Sequence, residues 1–81
     1  MSIGRNPHVP KAQACEQKAA DASDTSARVN AHREAARLWE RAAEREKPGK
    51  HRDEYQKNAE RNRELADAGG VDGVGGAPGA N

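Results

Sequence analysis

The chain has no phenylalanine and only one tryptophan, one tyrosine and one cysteine in 81 residues. So few large side chains rule out a deep apolar core, and a chain this short buries a modest share of its surface even when folded. A lone cysteine, Cys15, excludes an internal disulfide framework. Net charge is lacking too: fourteen Lys and Arg against thirteen Asp and Glu leave +1. That removes the basic excess on which nucleic-acid and membrane-surface binding usually rest. No apolar run approaches transmembrane length. The opening Met-Ser-Ile-Gly-Arg-Asn-Pro has no signal-peptide core, so a cytoplasmic location is expected.

What the chain has instead is alanine, sixteen times, set among charged residues of both signs. Low Leu, Ile and Val content is a mark of disordered chains, but the balanced charge removes the self-repulsion that keeps such chains open. Ala, Glu, Arg, Lys and Gln are the strongest intrinsic helix formers and dominate the middle of the sequence. The expected fold class is therefore all-α, a small antiparallel helical hairpin or three-helix bundle with disordered termini.

Residues 1–9 carry Gly4 and Pro7, and Pro10 follows Val9, which its ring disfavours in helical dihedrals. They are expected to form a flexible arm. Pro10 suits the first turn of a helix over about 10–22, whose apolar positions Ala12, Cys15, Ala19 and Ala22 recur at three- and four-residue spacing. Ser23-Asp24-Thr25-Ser26 reads as a break, although no capping box closes the next helix and one continuous helix stays open. From about 26 to 47 a second helix repeats the seam at Ala31, Ala35, Leu38 and Ala42, widened by Trp39 and Ala43. Pro48-Gly49 ends it, and so short a connection favours an antiparallel third helix over about 50–68. That helix places Tyr55, Ala59, Asn62, Leu65 and Ala66 on one face. Gly69-Gly70 is expected to stop it, with 69–81, which hold six of the eight glycines, as a flexible tail.

An alanine seam lets helix backbones approach closely, yet each alanine buries little at about 0.8 kcal/mol per CH₂. A unit built this way gains from association. Leu38 and Trp39 are adjacent and cannot both face one narrow seam, and aromatic residues dominate interface energetics. The expected function is a non-enzymatic protein–protein interaction module, self-associating or docking on a larger partner, with Leu38, Trp39, Tyr55 and Leu65 as anchors. The plainer possibility is that Trp39, Tyr55 and Leu65 fill the hairpin core.

Arg33, Arg37, Arg41 and Arg45 recur every four residues and form a basic ridge that is a candidate for anion contacts. A nucleic-acid-associated regulatory role is the alternative it supports. Glu34, Glu40 and Glu44 stand within reach of the ridge and favour a solvated face, and no aromatic cluster accompanies it. His8, His32, His51 and Cys15 lack metal-ligand spacing, so no metal or cofactor is expected. No nucleophile, base and glycine loop combine into a catalytic set, so no enzyme activity or small-molecule substrate is expected.

The string Glu34-Ala35-Ala36-Arg37-Leu38-Trp39-Glu40-Arg41-Ala42, followed after a turn by Glu54-Tyr55 and Ala59-Glu60, resembles the helical hairpins of tetratricopeptide-type and microtubule-interacting-and-transport domains. It spans roughly Ala14 to Leu65, with a shortened middle and without the repeat's glycine. That likeness implies a peptide-binding hairpin. Separately, Glu64-Leu65-Ala66-Asp67-Ala68-Gly69-Gly70 is similar to double-glycine leader ends of secreted bacterial peptides, which implies a precursor cleaved after Gly70. The 71–81 segment lacks the Cys, Ser and Thr that thioether chemistry uses. A likeness to small type VII secretion substrates founders on Trp39-Glu40-Arg41, where that family has a Trp-x-Gly turn.

Overall fold

The computed structural model describes residues 6–74, with side chains as far as residue 69. The described residues form three helices: α1 (His8–Asp21), α2 (Thr25–Arg45) and α3 (Lys50–Val74). They contain no strand, and the fold class is all-α. None of these helices is long and apolar enough to cross a membrane.

The Ser23–Ser26 stretch does separate two helices. Asp24 takes an extended backbone and its Oδ1 accepts the Ala27 N–H at 2.9 Å, an N-cap that works without the capping-box partner. Between α2 and α3, Glu46 is extended and Gly49 has φ 154°, a conformation that residues with a Cβ rarely adopt. Both connections are short, and both pairs run antiparallel. Asn6, at the start of α1, meets Ala42 and Glu46 near the end of α2. His32 of α2 meets Asn62 of α3, and Val29 meets Gly69.

Two boundaries differ from the sequence expectation. The arm assigned to residues 1–9 is helical from His8, with Val9 inside the helix despite Pro10. Pro10 is the third helical residue, where its missing N–H is still one that no helix carbonyl would have received. Asn6 receives the first N–H groups of α1: its Oδ1 accepts the His8 N–H at 3.1 Å and its backbone carbonyl accepts the Val9 N–H. At the other end, α3 passes through Gly69-Gly70 and continues to Val74. Gly69 acts here as a packing residue. A Cβ at this position would lie 2.9 Å from Val29 Cγ2, so the missing side chain sets how closely α3 approaches α2. The remainder of the expected tail, and residues 1–5 of the expected arm, lie outside the described residues.

α2 is the central helix. α1 and α3 both lie against it and touch each other little directly. At about 100° per residue, Ala31, Ala35, Leu38 and Ala42 form one stripe of α2, toward α1, while Val29, Ala36 and Ala43 form another, toward α3. Trp39 and His32 fall between the two. Two stripes rather than one seam resolve the Leu38–Trp39 conflict, because a helix with a neighbour on each flank buries a wider arc. Among the described residues the buried apolar side chains are nine alanines, Val29 and Trp39.

Candidate functional site

α1 and α3 lie side by side on α2 with few close backbone contacts, and Trp39 of α2 is buried along the groove line between them. The Trp39 ring meets the Tyr55 ring at a centroid distance of 5.4 Å and an interplanar angle of 31°. Its Nε1–H donates to Glu16 Oε2 at 2.8 Å. The same carboxylate oxygen receives Asn62 Nδ2 at 2.7 Å and Arg61 Nη2 at 3.3 Å, so one atom on α1 ties both other helices. Asn62 is 1% exposed and is fully engaged: Nδ2 also donates to the Asn58 carbonyl at 2.9 Å, and Oδ1 pairs with His32 Nδ1 at 2.9 Å. Charge-assisted bonds of this kind are stronger than neutral ones, and here they hold helices that have little apolar area to share.

This polar crossing divides the groove. Toward the α2–α3 turn it opens into a cleft of about 420 Å³ lined by Asn6, Val9, Pro10, Gln13, Glu46, His51 and Tyr55. Asn6 is buried there, with Nδ2 donating to the Ala42 carbonyl at 2.8 Å and to Glu46 Oε2 at 3.1 Å. Ala42 is one of the last four residues of α2, whose carbonyls have no helical partner, so Asn6 serves both helix ends at once. Burial first, then the Glu46 and Glu54 carboxylates, raises the Tyr55 hydroxyl above its ordinary value. Leu65 of α3 is 45% exposed, and Cys15 of α1 is half-buried against the core on the Glu34 side of α2. Burial, reinforced by Glu34 and opposed by Lys18, raises the Cys15 thiol, so it stays protonated and unreactive near neutral pH.

The four apolar anchor candidates thus occupy different environments. Trp39 is 3% exposed and its polar edge is spoken for; Leu38 and Tyr55 are half-buried against the core; Leu65 alone presents a large apolar face to solvent. Arg33, Arg37, Arg41 and Arg45 are all exposed. Glu34 pairs with Arg37 at 3.7 Å, whereas Glu40 pairs across the helix interface with Arg63 of α3 and not with its own ridge. Arg33, Arg37 and Arg63 flank a shallow α2–α3 depression together with Glu40 and Asp67. His32 is engaged by Asn62, and His51 lies 6.2 Å from Tyr55, ring centre to ring centre. No group of three or more His, Cys, Asp or Glu converges among the described residues.

In the sequence, Glu16 and Asn6 carry no site assignment, and His32 enters only as an isolated metal-ligand candidate and not as a partner of Asn62. Asn62 stood at a seam position, where a polar residue demands partners, and Asn6-Pro7 is a turn-initiating pair. Glu16 carries no sequence signal at all. Among protein-family models, curated proteins and solved structures, nothing matches this chain.

Proposed function

We propose that the chain is a non-enzymatic protein-interaction module that acts in the cytoplasm by docking on a larger partner along the α1–α3 groove, with Leu65 as its exposed apolar anchor. The observation that carries this reading is the buried set itself. Among the described residues the buried apolar set is nine alanines, one valine and one tryptophan, which supply little area, and polar bonds tie the helices at the Glu16 crossing. A partner covering the groove would add the burial that the chain lacks. Leu65 supports it, since it is the large apolar side chain that α3 exposes among the described residues. Peptide-binding hairpins of the tetratricopeptide type bury small residues between antiparallel helices, and we extend that mode of action to this chain as part of the proposal.

A photo-crosslinking amino acid at position 65, compared with one at the exposed position 60, tests the reading in cells. It predicts a discrete adduct from position 65 and none from 60. Equal, diffuse labelling from both would overturn it, and an adduct at twice the chain mass would identify self-association as the mode.

The exposed arginine ridge favours a nucleic-acid role as the second reading. It predicts binding to duplex DNA that weakens steeply with salt and on charge removal at Arg37 and Arg41; flat titrations at low salt would eliminate it. Cleavage after Gly70, as the precursor reading requires, would have to unwind α3 where Gly69 is in contact range of Val29.

A further inference from the structure

The cleft at the turn end of the groove has a chemistry of its own. Its walls come from three places in the chain: Asn6, Val9, Pro10 and Gln13 around the start of α1, Glu46 at the end of α2, and His51 and Tyr55 on the first turns of α3. We infer that this cleft receives a single arginine or lysine side chain from a partner polypeptide, its cation set between the Glu46 carboxylate and the Tyr55 ring. This rests on the reading of the chain as an interaction module and names the chemistry that one part of the groove selects.

Three observations support the assignment. Glu46 Oε2 accepts one bond, from Asn6, and no ion pair engages Glu46 among the described residues, so the carboxylate retains acceptor capacity toward the cleft. Tyr55, whose half-buried ring packs against Trp39, lines the same cleft as Glu46, and a cation at an aromatic ring gains further when partly desolvated. Finally, after burial, the Glu46 and Glu54 carboxylates disfavour the Tyr55 anion, and the same negative charge favours a cation beside that ring. A volume of about 420 Å³ accommodates one long side chain with a few waters.

The immediate neighbourhood sharpens the partner. Arg45, Lys47 and Lys50 crowd the adjoining α2–α3 turn, sharing Glu46 and His51 with the cleft. A uniformly basic segment would be repelled there. A partner whose cationic residue is flanked by Asp or Glu satisfies both surfaces, with the cation in the cleft and the acidic flank on the turn.

The test uses the full chain, ¹⁵N-labelled, titrated with acetyl-Glu-Arg-Glu-amide and with the same tripeptide carrying neutral citrulline in place of arginine. The arginine peptide is expected to bind in the millimolar range and to shift the amides of Gln13, Glu46, His51 and Tyr55, with the citrulline peptide at least fivefold weaker. Glu46→Gln, which keeps an acceptor for Asn6, should weaken the arginine peptide about fivefold, and Tyr55→Leu should do likewise with helicity unchanged by circular dichroism. Equal binding of the two peptides, shifts scattered over the surface, or an unaltered Glu46→Gln variant would each overturn the inference. The peptide titration is independent of crosslinking at position 65. A silent cleft with a discrete crosslink removes this site alone, whereas a specific cleft with no crosslink leaves the site standing and removes the docking at Leu65.

Discussion

Replacing Asn62 with alanine removes a polar side chain that is fully buried and that, among the described residues, joins all three helices. Three contacts go: the 2.7 Å bond to the Glu16 carboxylate, the 2.9 Å bond to the Asn58 carbonyl and the 2.9 Å pairing with His32. A hydrogen bond to a charged group contributes about 1.5–3 kcal/mol and a neutral one about 1 kcal/mol. Asn58 keeps its helical role and contributes little to the difference, so the loss is about 3 kcal/mol with the void included. For a domain this small each kcal/mol moves Tm by roughly 4–8 °C, which places the expected drop at about 12–24 °C. Asn62→Leu is the companion variant. It fills the space with apolar volume but strands His32 Nδ1, so it should fall between Asn62→Ala and the unaltered chain. Thermal unfolding followed by far-UV circular dichroism decides. A loss below about 0.5 kcal/mol for Asn62→Ala would show that the polar crossing does not hold the helices together, and the account of the groove would fail with it.

Three further outcomes follow from particular contacts. Trp39→Phe keeps the ring against Tyr55 and deletes the bond to Glu16, and should cost about 2 kcal/mol in urea unfolding, an effect that Glu16→Gln should partly mask in a double-mutant cycle. Gly69→Ala gains about 1 kcal/mol of helix propensity but sets a Cβ 2.9 Å from Val29 Cγ2 on a stiff β-branched side chain; net destabilisation of about 1 kcal/mol is expected, relieved in the Val29→Ala background. The single tyrosine should titrate above the ordinary value of about 10 by ultraviolet absorbance, because burial and then Glu46 and Glu54 disfavour its anion. Because the folded-state value is the raised one, this group's contribution to stability is complete below the unfolded value and falls as pH rises from about 10 through the folded value. Glu46→Gln should bring the midpoint down.

The helices were legible because alanine spacing, Pro48-Gly49 and the Ser23–Ser26 stretch are local signals, and local signals need no tertiary context. The errors fell where a distant residue decided the outcome. Val9 joins the helix with its N–H on the Asn6 backbone carbonyl, and Asn6 is itself held by Ala42, 36 positions away. Gly69 reads as a helix stop in isolation; opposite Val29 it becomes a point of close approach. Leu38 and Trp39 looked incompatible on a single seam because nothing in the sequence says that α2 has a neighbour on each flank. The groove residues were the least legible. Trp39 was named for its size, but the carboxylate that receives its N–H lies 23 positions earlier on a helix face that periodicity assigns to solvent.

The proposed need for a partner follows from the small apolar area buried among the described residues. Equilibrium urea unfolding of the isolated monomer, followed by Trp39 fluorescence and far-UV circular dichroism, measures that directly. Coincident transitions with an unfolding free energy below about 5 kcal/mol, the low end for natural domains, are the predicted result. A monomer stable by more than about 10 kcal/mol would contradict it, because nine alanines, Val29 and Trp39 would then suffice and the need for a covering partner would disappear.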